Sequence, residues 1–117
     1  MSLSRATSRR RSAEDQLDAV FHALCDQTRR ALLARLAVAP ANITELAEPF
    51  AMSLPAVSRH VRVLEGAGLV KRRVDGRVHQ CSLNGEPLRS VDDWLCYYRQ
   101  FWQANLDSLA HYLEAGS

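Results

Sequence analysis

Two arginines three positions apart, Arg59 and Arg62, lie in a segment that reads LPAVSRHVRVLEGAGLV from Leu54 to Val70. Residues with this spacing share one side of an α-helix, so both guanidinium groups are predicted to project from the same face. A guanidinium can donate a fork of two hydrogen bonds to O6 and N7 of guanine. The types and spacing of these residues therefore raise the hypothesis of a surface that reads nucleic acid.

The opposite face of the same segment is apolar. At 100° per residue, one narrow face collects four aliphatic side chains that we predict to be core: Leu54, Val57, Val61 and Leu64. Ser53 is placed to cap this helix, and Pro55 is tolerated in its first turn, where no backbone donor is needed. We therefore expect the outer half of the helix and its flanks to supply the contact residues Ser53, Pro55, Ala56, Ser58, Arg59, His60 and Arg62.

The chain after this helix carries more positive charge. Two glycines predict a helix stop, and the following LVKRRVDGRVHQCSL holds two β-prone runs around an Asp-Gly pair. Such a pair is typical of a two-residue type I′ hairpin, here with Asp75-Gly76 as the turn. In that register Arg72 faces His79 and Arg73 faces Val78. The basic side chains of the hairpin, which bind phosphate without reading sequence, are Lys71, Arg72, Arg73 and Arg77.

Charge is distributed unevenly along the chain. The net charge of the whole sequence is only +2, yet Ser53–His79 holds six basic residues against two acidic ones. The segment from Asn84 onward contains two basic residues and five acidic ones. The positive charge is thus concentrated where the helix and hairpin lie, as expected for elements that meet a phosphate backbone.

Helix caps and breaks predict the elements that position this surface. The predicted caps are, in chain order, Ser12, Asp26, Asn42 (with Glu45 three residues later), Ser53 and Ser90. The first helix is expected to end near Cys25 and the last near Glu114. We predict a mainly α fold with a small β-hairpin, a winged helix-turn-helix of five helices plus a two-stranded wing.

Two further regions flank the helix-turn-helix in the sequence. Residues 1–12 contain Arg5 and Arg9 to Arg11 without an apolar pattern, and we predict a basic, disordered arm. Residues 13–117 are predicted to be one winged helix domain with N- and C-terminal dimerisation helices. The last helix carries a broad stripe that can serve the core and a partner chain together. The residues expected at a dimer interface are Leu17, Phe21, Trp94, Tyr98, Phe101, Trp102, Leu106 and Leu109.

Three stretches of the chain together resemble the ArsR family of bacterial winged-helix repressors. They read FHALCDQTRRALLARL, then ITELAEPFAMSLPAVSRHVRVLEGAGLVKRRVDGRVHQCSL, then WLCYYRQFWQANLDSLAHYLE. The match runs from about Leu17 to Leu83, and the final stretch looks like the dimerising helix of a subgroup of that family. The resemblance implies a homodimeric transcriptional repressor that binds double-stranded DNA at a palindromic operator and whose affinity can respond to a signal.

ArsR-like proteins often bind metal, which makes the ligand patterns of the family relevant to this chain. The third helix, ITELAEPF, has no cysteine pair, and of the last-helix pattern only His111 and Glu114 are present. Two ligands are too few for tetrahedral zinc, so we expect no metal site and no cofactor, and the effector stays unidentified. The alternative is an ArsR-type metal or redox sensor that uses an unrecognised site, for example Cys25 with Cys96.

Other functional classes are disfavoured. The chain has no Gly-rich phosphate loop, paired carboxylates or Ser/His/Asp arrangement, so we do not expect an enzyme. No apolar run approaches the ~18 residues of a membrane helix, and three scattered cysteines fit reduced thiols in the cytoplasm. A winged-helix module that binds protein is the other alternative. It would predict apolar or acidic residues on the outer face, where Arg59 and Arg62 stand.

Overall fold

The fold is built from five helices and three short strands. A computed structural model of the chain describes residues 2–116, with side chains described for residues 12–116. The elements are, in chain order, α1 (Ser2–Leu24), α2 (Gln27–Val38), β1 (Ala41–Asn42), α3 (Ile43–Ala47), α4 (Leu54–Gly66), β2 (Val70–Asp75), β3 (Val78–Leu83) and α5 (Leu88–Ala115). This order confirms the predicted mainly α, winged helix-turn-helix fold, with α3 and α4 as the helix-turn-helix and β2–β3 as the wing.

Three helix starts confirm the capping residues predicted from the sequence. The Asp26 carboxylate accepts the backbone N–H three residues later at 3.0 Å, and Ser53 Oγ does the same at 3.3 Å. Asn42 and Glu45 form the full capping box, each side chain accepting the other's backbone N–H. These bonds satisfy donors that a helix start leaves free, so local sequence determines where α2, α3 and α4 begin.

Two helix starts differ from the prediction. α1 begins at Ser2, and Ser12 lies inside it, because residues 2–24 contain neither proline nor glycine to interrupt a helix. The side chains of residues 1–11 lie outside the described part, so a basic arm at residues 1–12 stays a prediction. α5 begins at Leu88, two residues before the predicted cap, because the helical φ of −64° at Pro87 starts the winding earlier. Ser90 Oγ donates instead to the Pro87 carbonyl at 2.7 Å.

The sheet has three antiparallel strands in the order β1-β3-β2, so β3 is the central strand. The sequence predicts the two strands of the wing, β2 and β3, and these are confirmed; it does not predict the third strand, β1. β1 has two residues and pairs with Cys81 and Gln80 of β3. Two residues are too few to show an alternating pattern, and the pairing depends on a partner far along the chain. The sequence therefore gives no local signal for β1.

The turn of the wing lies one residue later than predicted. Asp75 pairs with Val78, so the two turn residues are Gly76 and Arg77. Among the described residues only Gly68 and Gly76 have positive φ, the latter at 63°. A type I′ turn needs positive φ at both central positions, whereas a glycine at the first position alone is typical of type II′. The predicted Asp75-Gly76 turn of type I′ would need positive φ at Asp75, whereas the observed turn needs it only at Gly76.

This later turn changes the pairing within the wing. Arg72 faces Cys81 instead of His79, and Arg73 faces Gln80. Each partner has moved by two residues, and side chains in a strand alternate between faces. Every side chain of the wing therefore stays on the face that the sequence predicts, although its partner is different.

The core lies where the first four helices and the sheet meet. Its largest fully buried side chains are Val20, Leu32, Leu46, Val57, Val61, Leu64, Leu69 and Cys81. Three of the four core residues predicted in α4 are among them. The prediction for Leu54 is wrong: its side chain is 48% exposed, because it occupies the first helical position, where the end of α4 projects past the core.

α5 differs from the other helices because none of its described side chains is buried. At 1.5 Å per residue its 28 residues extend for about 42 Å. The radius of gyration of the chain is 19.5 Å, well above the roughly 13 Å of a compact domain of this length. The end of α5 thus projects from the domain. Neither α5 nor any other helix in the described part of the chain has the length and apolar content of a membrane span.

Candidate nucleic-acid interface

α4 presents one face to the core and the other to solvent. Val57, Val61 and Leu64 have no exposed surface, whereas Arg59 and Arg62 on the other side are exposed. Within the described part of the chain, neither arginine side chain donates a hydrogen bond or forms an ion pair. Their guanidinium donors are therefore available to a ligand.

The first turn of α4 adds small groups beside these arginines. Ser53 and Pro55 are exposed, and Ala56 and Ser58 are half-buried. The exposed Leu54 extends this apolar surface. A helix N-terminus also favours negative charge, because its first backbone N–H groups and the helix dipole point outward. The turn can therefore meet both an apolar group and an anion.

His60 is tied to the neighbouring helix α2. Its side chain is 21% exposed, and its Nδ1 lies 3.2 Å from Nη1 of Arg29. The Asp26 carboxylate is 3.9 Å from the same nitrogen. His60 therefore joins α4 to the start of α2, and only part of its ring is left for a ligand.

Three of the four basic residues of the wing point into solvent. Lys71, Arg73 and Arg77 are exposed, and their charged ends have no partner among the described residues. Arg77 occupies the turn itself, which places a cation at the tip of the wing. Lys71 and Arg73 lie on the face of β2 opposite the one from which Arg72 meets α4, so the exposed cations of the wing are divided between that face and the tip.

Arg72 has a different environment from the other basic wing residues. Its Nε donates to Glu65 Oε1 at 3.0 Å, and its Nη2 donates to the same oxygen. Its Nη1 lies 3.3 Å from His79 Nδ1, so these two residues meet diagonally although they are not paired in the ladder. Arg72 thus links the end of α4 to both strands of the wing, and most of its donors are already in use.

A groove of about 260 Å³ separates the wing from the start of α3. Its lining residues are Asn42, Ile43, Thr44, Arg72, Arg77, Val78 and His79. Two arginines and a histidine give this groove a basic character, and Arg77 extends it to the tip of the wing.

Two residues that position the interface escape the sequence analysis, Arg29 and Glu65. Arg29 is 9% exposed, and the buried leucines of α2 lie three, four and seven positions after it. This spacing is the signal that could have placed Arg29 on the core stripe. Glu65 gives no comparable signal, because its partner Arg72 lies beyond the turn that ends α4.

The residues predicted for a dimer interface are partly covered within the chain. Phe21 of α1 meets Trp94 edge to face with 5.3 Å between ring centroids, and Trp94 lies 4.8 Å from Tyr98. Leu17 is half-buried. The remaining members are 53–62% exposed, namely Phe101, Trp102, Leu106 and Leu109. The aromatic contacts between α1 and α5 therefore cover only the first part of the stripe.

The exposed part of the stripe continues the face of α5 that packs on the core. Leu88 and Val91 pack against the core cluster. At 100° per residue, Trp102, Leu106 and Leu109 fall within about 40° of the same line along the helix. One apolar face thus runs the length of α5, covered near its start and bare toward its end. A contiguous apolar strip of this kind marks an interaction surface.

The candidate sensor residues are dispersed. No group of three or more His, Cys, Asp or Glu side chains among the described residues is arranged to hold a metal ion. Cys25 and Cys96 are exposed, and Cys81 is buried. Burial raises the pKa of the Cys81 thiol, which makes it a poor nucleophile. Arg29 Nη2 lies 3.8 Å from Cys25 Sγ, so one exposed thiol adjoins the residue that holds His60.

The carboxyl group of Asp26, which caps α2 near Arg29 and His60, makes the stability of the fold depend on pH. The backbone N–H of Arg29 lowers the pKa of Asp26 below its ordinary value of 3.8, and the guanidinium charge of Arg29 acts in the same direction, while partial burial opposes them. A carboxyl whose folded pKa is depressed stabilises the fold above its unfolded pKa. That contribution is lost as the pH falls through the folded pKa.

We expect Asp26→Asn to lower the melting temperature at pH 7, because asparagine keeps a capping acceptor but lacks the charge. The difference from the wild type should shrink as the pH falls below about 4, where the wild-type carboxyl becomes neutral. Circular dichroism melts between pH 7 and pH 3 measure this, with Asp18→Asn on the exposed side of α1 as the control. A difference that stays constant with pH would contradict the role given to the carboxylate.

The sequence and the fold both match known proteins. The family model of a helix-turn-helix domain matches residues 24–73, from the end of α1 into β2. The chain is 37% identical over 100 residues to the HTH-type transcriptional regulator Rv2034 of Mycobacterium tuberculosis. The alignment covers 84% of this chain and 89% of that protein. It is also 32% identical over 76 residues to the transcriptional repressor SdpR of Bacillus subtilis, in an alignment that covers 65% of this chain and 84% of that protein.

A solved structure gives the same result. The ArsR family transcriptional regulator RHA00566 superposes with a TM-score of 0.71 at 41% sequence identity, covering 77% of this chain and 93% of that one. The relatives and the shared fold are those of transcriptional regulators and not of enzymes.

Proposed function

Because the chain belongs to the ArsR family of helix-turn-helix transcriptional regulators, we propose that it is a repressor that acts in the cytoplasm as a homodimer on a palindromic operator. The observation that carries DNA recognition is the pair of guanidinium groups on the outer face of α4. Arg59 and Arg62 bind no other described residue, and they stand opposite a face that is fully buried. The relative from Bacillus subtilis, a transcriptional repressor, supports repression as the direction of control.

In this proposal α4 enters the major groove with its N-terminal residues near the base edges. Arg59 donates two hydrogen bonds to O6 and N7 of a guanine, and Pro55 with Ala56 contacts a thymine methyl group. The remaining contact residues of α4 bind the DNA backbone and fix the register of the helix; they are Ser53, Ser58, His60 and Arg62.

In this proposal the wing supplies positive charge beside the major groove of the DNA. Lys71, Arg73 and Arg77 neutralise phosphates through counterion release, which strengthens binding to any sequence. Arg72 acts mainly through its ion pair with Glu65, which sets the angle between the wing and α4. The wing therefore contributes affinity, and α4 contributes specificity.

The bare apolar face of α5 supports the homodimer. A second copy of the same face would cover it in a closed two-fold arrangement, together with Leu17 and Phe21 of α1. Two-fold symmetry then presents two α4 helices to successive major grooves about 34–36 Å apart. A symmetric protein of this form fits a palindromic operator.

Selection from random-sequence duplexes and from genomic fragments tests this function directly. We expect the recovered DNA to contain an inverted repeat whose half-sites are about 10–10.5 base pairs apart, centre to centre. A promoter that carries this repeat should be more active in cells that lack the protein. Recovery without a common motif, or lower promoter activity in the absence of the protein, would contradict the proposal.

Replacing Arg77 with alanine should weaken binding to all duplexes alike and reduce its salt dependence. Each phosphate contact contributes about 0.9 to the slope of log affinity against log salt, so a symmetric dimer should lose roughly two units. Affinities measured at several salt concentrations on operator and random duplexes give this slope. Arg89→Ala on α5 removes the same charge outside the wing and serves as the control. An unchanged slope for Arg77→Ala would exclude a phosphate contact at the wing tip.

A further inference from the structure

Arg29 lies beneath the recognition helix and is the one charged residue that is buried among residues 12–116. Its Nε donates to the carbonyl of Ala23 at 2.7 Å, and its Nη2 donates to the carbonyl of His22 at 3.0 Å. These two bonds satisfy carbonyls at the end of α1. The remaining nitrogen, Nη1, lies 3.2 Å from Nδ1 of His60. One guanidinium of α2 therefore contacts both α1 and α4.

The contact between Arg29 and His60 determines which ring nitrogen can carry the proton. A guanidinium has donors and no acceptor, so Nδ1 of His60 must accept the hydrogen bond. The proton of a neutral imidazole then lies on Nε2. The Asp26 carboxylate, at 3.9 Å from Nδ1, is too distant to form a competing hydrogen bond. Nε2 lies on the side of the ring away from Arg29.

We propose that Arg29 is a positioning residue for DNA recognition, which holds His60 in the tautomer that donates from Nε2 and so gives α4 a neutral donor for a DNA phosphate oxygen. The inference rests on the proposed function, since it assigns a role within DNA binding. His60 flanks the buried face of α4 instead of standing opposite it beside Arg59, which is the place expected for a contact to the wall of the groove. A neutral N–H with a fixed direction binds a phosphate oxygen only at one position, whereas the flexible arginine side chains nearby can bind phosphates at several positions.

Arg30 provides a matched control for Arg29. Its Nη1 donates to the carbonyl of Leu24 at 2.7 Å, so it also binds the end of α1. It is exposed, and its hydrogen bond to α1 is its one side-chain hydrogen bond or ion pair among the described residues. If Arg29 served only to cap α1, the lysine variants of both arginines would change stability and leave His60 unaffected.

Ring ¹⁵N spectra of the free protein at pH 8 test the first step. We expect His60 to show an unprotonated Nδ1 and a protonated Nε2 in the wild type and in Arg30→Lys, and a mixture of tautomers in Arg29→Lys. Thermal melts identify whether each variant is folded. A wild-type His60 with its proton on Nδ1, or the same Nε2–H tautomer in Arg29→Lys, would overturn the proposal.

Affinities for an operator duplex and a random duplex test the second step. We expect His60→Phe to weaken binding to both about tenfold, as one lost hydrogen bond to a charged acceptor implies. His60→Gln should stay within about threefold of the wild type, because its amide N–H can replace the Nε2 donor. Both variants keep Arg29 and the end of α1 unchanged, so they remain informative if Arg29→Lys unfolds.

A double-mutant cycle separates positioning from simple stabilisation. If Arg29 acts through His60, the variant with both Arg29→Lys and His60→Phe should bind DNA as His60→Phe does alone. Losses that add, in a protein that binds DNA, would overturn this inference and leave the proposed function intact. A folded wild-type protein that bound no duplex in the selection would overturn the proposed function and this inference with it.

Discussion

Replacing Trp102 and Leu106 together with glutamate should give a folded monomer that binds its operator at least about a hundredfold more weakly. Both side chains are more than half exposed, and no described side chain of α5 is buried, so the core loses nothing. Two carboxylates in the middle of a helix–helix interface would have to be desolvated without partners, which strongly disfavours association. A dimer gains about 10²–10⁴ from binding two half-sites at once, and a monomer lacks this gain.

Sedimentation velocity at micromolar concentration and titration of the operator duplex measure the two effects. Circular dichroism checks that the variant is folded. Ala104→Glu is the matched control, because Ala104 lies about 200° around the helix from Trp102 at 100° per residue and is exposed. The control should remain a dimer and bind normally. A double variant that still sediments as a dimer would show that another surface joins the subunits.

Arg59→Ala should weaken operator binding by about 1–3 kcal/mol per half-site and relax the preference at one base position of each half-site. Arg59 is exposed in the N-terminal half of α4, and its side chain has no competing acceptor within the described residues. Removal of its two guanidinium donors leaves O6 and N7 of a guanine without a hydrogen-bond partner. Arg59→Lys should rescue little, because a single ammonium cannot reproduce the two parallel donors.

Arg62→Ala is the comparison for this prediction, since it removes the same charge from the same face three residues further along. We expect it to weaken operator and random duplexes to a similar extent. Titrations on the operator, on single-base variants of it and on random duplexes distinguish the two arginines. A uniform loss for Arg59→Ala on all of these duplexes would make Arg59 a phosphate contact.

Features that depend on a few neighbouring residues could be predicted from the sequence. The caps at Asp26, Asn42 and Ser53 were predicted correctly because each acceptor binds a backbone N–H only three residues away. The division of α4 into a buried and an exposed face follows from the helical period alone. The same local reasoning placed Arg59 and Arg62 on the exposed side.

Features that depend on distant parts of the chain could not be predicted in this way. The exposure of Leu54 reflects where the core ends, which periodicity does not encode. β1 forms only because β3 returns beside it. The charged pair of Glu65 with Arg72 and the contact of Arg29 with His60 join segments that only the fold brings together. Sequence reasoning therefore predicted which side of α4 is exposed and basic, but it missed Glu65 and Arg29, which bind residues of the wing and of α4.

The projecting end of α5 has a consequence for how the protein responds to its own abundance. If this apolar face is covered only in the dimer, protomers and dimers are in a balance set by concentration. When most of the protein is monomeric, the amount of dimer rises with the square of the protomer concentration. A doubling of expression then raises the DNA-binding species roughly fourfold. If the dimer is the form that binds DNA, as proposed, a small change in gene dosage then has a disproportionate effect on transcription.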